Sequence, residues 1–213
     1  MDLHVHTICS RDCLTSFEAI IEACRRRGLG GVAITDHNRI EGALAFREIA
    51  PFVVIVGEEV KSSEGEIIGL FLEEGIPRGL TPEETIVRIK EQGGLVYIPH
   101  PMDRVRRSVL RREALERIVG QVDAIEVFNA RVTFPADNEK ARRFAQERAL
   151  PQGAGSDAHT PGEIGRAYVE MEPFHDPEEF LRHLSQGRVA GRLSSPLVHL
   201  VSAWAKVYRR LRG

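Results

Sequence analysis

Short apolar runs rich in β-branched residues alternate along this chain with segments whose apolar residues recur at helical spacing. Residues 3–7 read as a strand, and 16–27 as a helix that gathers Phe17, Ile20, Ile21 and Cys24 on one side. Gly28 and the Gly30-Gly31 pair end that helix, because glycine accepts the left-handed backbone that a helix C-terminus needs. Further strands are predicted at 31–35, 52–56 and 66–72, with a helix over 41–49 and a hairpin turn at Ser63-Glu64-Gly65. Thr81-Pro82-Glu83-Glu84 is a helix start, with Thr as N-cap, Pro at the first helical position and acids facing the helix dipole. That helix runs to Gln92 and stops at Gly93-Gly94. Strands at 95–98, 124–127, 150–154 and 167–171 follow, with helices at 111–119, 135–148 and 177–186. This alternation predicts an α/β protein with a parallel sheet or barrel, and 213 residues suffice for one sizeable core.

The polar residues that follow these strands are not ordinary loop residues. Asp2-Leu3-His4-Val5-His6-Thr7 opens the chain, and Gly155-Ser156-Asp157-Ala158-His159 answers it near the far end. In extended backbone, residues i and i+2 share a face, so His4/His6 and Asp157/His159 each converge on one point. Thr35-Asp36-His37-Asn38, Val56-Gly57-Glu58-Glu59 and Pro99-His100-Pro101 each stand after another apolar run. In α/β barrels the C-terminal ends of the strands carry the active site. A buried cluster of imidazoles and carboxylates there is costly unless a divalent metal balances it. Mixed His and carboxylate donors suit Zn, Mn or Fe, and adjoining metals suit hydrolysis.

Composition adds exclusions. A net charge of −2 makes no global case for nucleic acid or an anionic membrane. Cys9, Cys13 and Cys24 are too few to read as a disulfide framework, so a reducing compartment is expected. Cys9 and Cys13 flank Asp12 and read as small buried residues. No apolar run nears the ~20 residues that span a bilayer, and no signal-peptide pattern is present. A soluble, cytoplasmic protein is the expectation.

The ordered set His4-Val5-His6, Asp12, Asp36-His37, Glu59, His100-Pro101 and Asp157-Ala158-His159 resembles the polymerase and histidinol phosphatase (PHP) superfamily over about residues 1–190. The stretch 155–166 resembles its small stand-alone metal-dependent phosphoesterases. The resemblance implies a PHP-type distorted (β/α)7 barrel over residues 1–192, with two or three divalent ions (Mn, Zn or Fe) at its C-terminal face. By the same resemblance His4, His6 and Asp157 hold one metal, Glu59 bridges it to a second held by His100, and Asp12, His37 and His159 hold a third. Choosing Glu59 over Glu58 rests on the family's Gly-x-Glu spacing. At one position the chain departs: where relatives often carry His or Cys, it offers Glu126, read as a candidate ligand or a structural residue. Asp36 is read either as a residue that orients a ligand or as a turn cap. The activity implied is hydrolysis of a phosphate ester, mono- or diester, by a metal-bound water. Two alternatives stay open. One is a C–N hydrolase of the amidohydrolase kind, although no lysine stands at the strand end where that family often bridges its metals. The other is a non-catalytic metal-binding regulatory module.

Guanidinium groups bind phosphate oxygens in a fork, so arginines near these motifs are candidate substrate residues. Arg104, Arg106 and Arg107 follow His100, while Arg131 and Arg166 follow two other loops; Arg104, Arg107, Arg131 and Arg166 are the candidates taken forward, with Lys61 a weaker one. The arginines of 104–112 lack interleaved aromatic residues, which favours a small phosphorylated substrate or nucleotide over stable duplex binding. His175, His183 and His199 lie outside the motifs and are expected at structural or surface positions. Residues 193–213 form a separate unit, a basic amphipathic helix with Leu197, Leu200, Val201, Trp204, Val207, Tyr208 and Leu211 at helical spacing. Its apolar stripe is expected on the flank of its own barrel or in a homo-oligomer contact, with a membrane surface the other use of such a helix.

Overall fold

The computed structural model describes residues 1–212; Gly213, the end of the predicted tail unit, lies outside the described residues. Seven strands stand side by side in chain order: β1 (Asp2–Val5), β2 (Gly31–Ile34), β3 (Val53–Ser62), β4 (Gly65–Leu70), β5 (Leu95–Ile98), β6 (Ala124–Asn129) and β7 (Gln152–Gly155). All neighbours are parallel except β4, which runs against both β3 and β5. Ser62 pairs with Gly65 across a tight turn, so the expected hairpin is present. The sheet curls until its edges meet: His6 N–H donates to the Ala158 carbonyl at 3.0 Å and Asp157 N–H to the His4 carbonyl at 2.8 Å. This is a nearly closed, distorted seven-stranded barrel.

Alternation along the strands separates two cores. Val32, Ile34, Val56, Ile67, Val96, Ile98 and Ile125 face outward. They pack under helices α1 (Phe17–Arg27), α2 (Glu41–Ile49), α3 (Pro82–Glu91), α4 (Arg112–Ile118) and α5 (Pro135–Glu147). Leu3, Ala33, Ile55, Ile68, Tyr97 and Ala154 fill the lower interior. β1 has one residue more than β2 between paired positions, since Asp2 faces Val32 but Val5 faces Ile34. That bulge lets Leu3 join the inner core while Val5 joins the outer one.

The lower end is covered by an antiparallel ribbon of β8 (Ala167–Glu170) and β9 (Arg188–Gly191), with α6 (Pro177–Gln186) burying Phe180 and Leu184 against it. β9 is not among the predicted strands because Arg188-Val189-Ala190-Gly191 has no apolar alternation; only pairing with β8 makes it a strand. The tail helix α7 (Val198–Arg212) turns its apolar stripe to solvent rather than to the flank of its own barrel. Leu200, Trp204 and Leu211 are 66%, 57% and 82% exposed, while Ser202 and Ala205 are buried. The helix lies across the upper mouth by its polar side, because that surface offers carboxylates and carbonyls rather than an apolar flank. Lys206 Nζ sits 3.1 Å from Asp12 Oδ2, and Arg209 donates to the carbonyls of Ile8 and Cys13. No helix among the described residues is long and apolar enough to cross a membrane.

Candidate metal centre

The barrel draws its polar strand ends into one buried cluster. His4 Nε2 lies 3.2 Å from His6 Nε2 and 3.4 Å from Glu59 Oε2. Glu59 is central: its oxygens also stand 3.0 Å from His37 Nδ1 and 3.0 Å from His100 Nε2. His6 Nε2 faces Asp157 Oδ1 at 3.4 Å. On the outer side Asp12 accepts from His37 at 3.3 Å and from His159 at 3.3 Å. His4, His6, Asp12, His37, Glu59, His100, Asp157 and His159 are thus brought together from loops and strands spread over the chain.

This donor set fits divalent metal ions. Donor atoms of His6, His37 and His159 lie within 4.8 Å of one another, as do those of His4, His6 and Glu59, and those of His37, Glu59 and Glu66. Asp157 Oδ1 and Glu66 Oε2 are buried with no hydrogen-bond partner among the described residues. Charge balance in the protein alone is held by protons. Burial opposes charge on His4, yet Asp157, Glu126 and Glu59 outweigh it and hold the imidazole well above its usual range. Burial also opposes charge on Asp12, but His159 and His37 keep its carboxyl well below the usual range. Divalent ions can replace these protons, which makes metal binding proton-releasing. His100 (φ 33°) and Asp157 (φ 53°) hold left-handed backbone, a local strain of ~1–3 kcal/mol that collects at functional sites.

Several residues support the cluster rather than join it. Glu126, read as a candidate ligand, sits behind His4: Oε1 is 3.1 Å from His4 Nδ1, while Oε2 accepts from His100 N–H at 2.7 Å and from Asn129 at 2.9 Å. Asp36 accepts from the Thr7 N–H and hydroxyl, both at 2.6 Å, and so fixes the turn after His6 rather than the ring of His37. Glu58 points the other way and accepts from Ile76 N–H at 2.9 Å. Glu66 belongs to the cluster although no sequence motif points to it. A weaker signal does exist, since the hairpin register sets it opposite Lys61, on the face that Glu59 shares.

The arginines divide. Arg106 donates to Asp157 Oδ2, and Arg131 donates to the Asp157 carbonyl and to Ser202 Oγ of α7. Both line a cavity of about 520 Å³ with Asp12, His37, Glu66 and Lys206. The other candidates are not brought there. Arg104 turns outward to Asp137 at 2.5 Å, Arg107 is exposed on its loop, and Arg166 lies at the lower end of the barrel. Chain proximity to His100 is a poor guide, because Arg104, Val105 and Arg107 of that loop are exposed and only Arg106 turns in to Asp157. Lys61 Nζ donates to the Ser108 carbonyl at 3.3 Å.

Comparison with known proteins agrees with this geometry. The family model for the PHP domain matches residues 2–98, and the PHP-associated model matches residues 135–189. An uncharacterised protein of Methanocaldococcus jannaschii is 37% identical over 194 residues, which span 86% of this chain and 78% of that protein. A phosphoribosyl 1,2-cyclic phosphate 1,2-diphosphodiesterase of Eggerthella lenta is 36% identical over 85 residues, 36% of this chain and 32% of that enzyme. Among solved structures, a two-domain protein of Bacteroides vulgatus containing a predicted PHP-like metal-dependent phosphoesterase superposes with a TM-score of 0.68 at 18% identity. That likeness covers 90% of this chain and 64% of the other. The two family models and the long relative together make this chain a member of the PHP family, and the solved structure shares its barrel fold.

Proposed function

We propose that this chain hydrolyses a phosphate ester of a small molecule, a metabolite or nucleotide, using two or three divalent ions of Mn, Zn or Fe. The observation that carries the reading is the position of Arg106 and Arg131. Both stand over the same cluster, at the wall of a cavity of about 520 Å³, a size suited to a small substrate. His4, His6 and Asp157 would hold one ion, Glu59 and His100 a second together with Glu66, and Asp12, His37 and His159 a third. Bound there, such ions supply charge for the phosphoryl oxygens and acidify water enough for attack near neutral pH.

The chain's own residues position and exclude. Glu126 fixes the ring of His4 through Nδ1, which leaves Nε2 for the centre. The Asp157 carbonyl, 2.8 Å from His159 Nδ1, does the same for that ring, whose Nε2 remains toward Asp12. Arg106 reaches Asp157 from the cavity side and would offer its remaining donors to a phosphate oxygen. His199, Ser202 and Lys206 of α7 wall the opening, which favours small substrates over a duplex. The free cysteines Cys9, Cys13 and Cys24 suit a reducing cytoplasm.

The test is metal analysis of the purified chain, with turnover of p-nitrophenyl phosphate and bis-p-nitrophenyl phosphate. Metal content and turnover should both fall in His6→Ala and Asp157→Ala. A metal-free chain after expression in metal-replete medium, or unchanged turnover in both variants, overturns the proposal. The ratio of the two substrates separates monoesterase from diesterase.

A further inference from the structure

A larger cavity, of about 940 Å³, opens at the other end of the barrel, beside the first residues of β1, β2 and β3. Leu29, Val53, Tyr168, Met171 and Phe174 give it an apolar lining. Three arginines from distant parts of the chain meet at its rim: Arg27 at the end of α1, Arg166 just before β8 and Arg192 just after β9. Arg27 Nη2 and Arg166 Nε both donate to the Gly162 carbonyl, at 2.8 and 3.3 Å. Two guanidinium groups on one carbonyl oxygen stand only a few ångströms apart. Arg192 is tied in through its backbone N–H, which donates to the Arg166 carbonyl at 2.7 Å.

The carboxylates nearby do not balance this charge. Among the described residues none forms an ion pair with Arg27, Arg166 or Arg192. Glu170 is taken by Arg188 at 2.5 Å. Asp2 is buried, with its oxygens accepting from Ser156 and from Gly165 N–H. Glu172, also on the rim, pairs with none of the three. The close approach is built into the backbone. Gly165 has φ 70°, a backbone that favours glycine, and a Cβ there would stand 2.9 Å from Arg27 Cδ and press on Arg27 where it lies across this end. Partial burial, then Arg192 and Arg166, hold the Arg27 guanidinium below its usual range.

Like charges a few ångströms apart repel near a protein surface. Free side chains would swing apart, yet Arg27 and Arg166 are pinned to a shared carbonyl. A phosphate would offset the repulsion and engage several donors at once. We infer that this cavity is a second ligand site, separate from the metal centre, for a small phosphorylated molecule with a flat apolar body. The phosphate sits among Arg27, Arg166 and Arg192, and the body lies against Leu29, Tyr168 and Phe174. The site does not depend on the activity proposed above.

The test is calorimetric titration of AMP and of inorganic phosphate into the full chain in EDTA, so that nothing is turned over. AMP should bind in the micromolar range and more tightly than phosphate. Arg27→Ala/Arg192→Ala should weaken AMP by about tenfold or more, and Arg106→Ala at the metal centre should leave that binding in place. Phe174→Ala should weaken AMP but not phosphate, a selectivity that unfolding would not produce. No AMP binding up to about 1 mM overturns the inference. So does binding that survives the double substitution or vanishes with Arg106→Ala. A dimer in sedimentation that Arg192→Glu dissociates would also overturn it, by assigning the rim to a second copy of the chain.

Discussion

His4 gives its two ring nitrogens to different partners: Nδ1 lies 3.1 Å from Glu126 Oε1, and Nε2 faces His6 and Glu59. Both Glu126 oxygens are engaged, one by His4 and the other by His100 N–H and Asn129. One carboxylate therefore sets the ring of His4 and the backbone of His100 together. Glu126→Ala is expected to lower metal affinity by ~10–100-fold while the chain stays folded. Competition with a metallochromic chelator measures it; affinity equal to wild type would show that Glu126 orients nothing.

The same contact explains Gly155. A Cβ at this position would stand 2.2 Å from His4 Cβ and 2.4 Å from Glu126 Oε1. His4 Cβ is fixed by β1 and cannot yield, and Glu126 Oε1 could move only by leaving His4 Nδ1. Gly155→Ala should cost ~1–3 kcal/mol in denaturant unfolding and also lower metal affinity. Normal stability with normal metal content would contradict this account of the site.

Glu58 gives a pH dependence away from the cluster. Burial pushes its carboxyl up to about 7 from an ordinary 4.5, against the Ile76 N–H bond that favours the charged form. The folded chain thus keeps this proton at pH values where the unfolded chain has lost it. Its contribution is present in full below about 4.5 and fades as pH rises through about 7. Glu58→Gln keeps an acceptor for Ile76 N–H without a charge. It should raise the melting temperature at pH 8 by more than at pH 5, with a ceiling of ~3 kcal/mol in the difference. Equal shifts at both pH values would remove Glu58 as the cause.

Arg104 and Arg106 are two residues apart and point to different chemistry. Arg106 meets Asp157 inside the cavity, whereas Arg104 is half exposed and pairs with Asp137 outside it. Arg106→Ala should lower kcat/KM for a phosphate ester by about 100-fold. Arg104→Ala should leave kcat/KM within about twofold, because Arg104 turns away from the cavity to Asp137. Equal losses in both variants would defeat the distinction.

Most of the buried His–carboxylate cluster is legible in the order of residues alone. His4/His6 and Asp157/His159 declare themselves by spacing, and His37, Glu59 and His100 by their place after apolar runs. Those signals are local, although strand alternation accounts only for the first pair, since Asp157 holds left-handed backbone (φ 53°) beyond the end of β7. Glu66 is hidden because its place depends on the antiparallel register of β3 and β4. β9 is hidden because its strand character comes from β8 alone.

The sequence by itself therefore determined the barrel's elements, the chemistry of its donors and the family they belong to, since period and spacing act within a few residues of chain. The tertiary structure decided which carboxylate faces the centre and which stands behind it. It also decided that Arg106 rather than Arg104 reaches the cavity, and that α7 lies polar side down across the mouth. Arg166, expected at that mouth, instead joins Arg27 and Arg192 at the opposite end of the barrel. Each of these outcomes depends on contacts between residues far apart in the chain, set by strand register and barrel closure, and no local pattern carries that information.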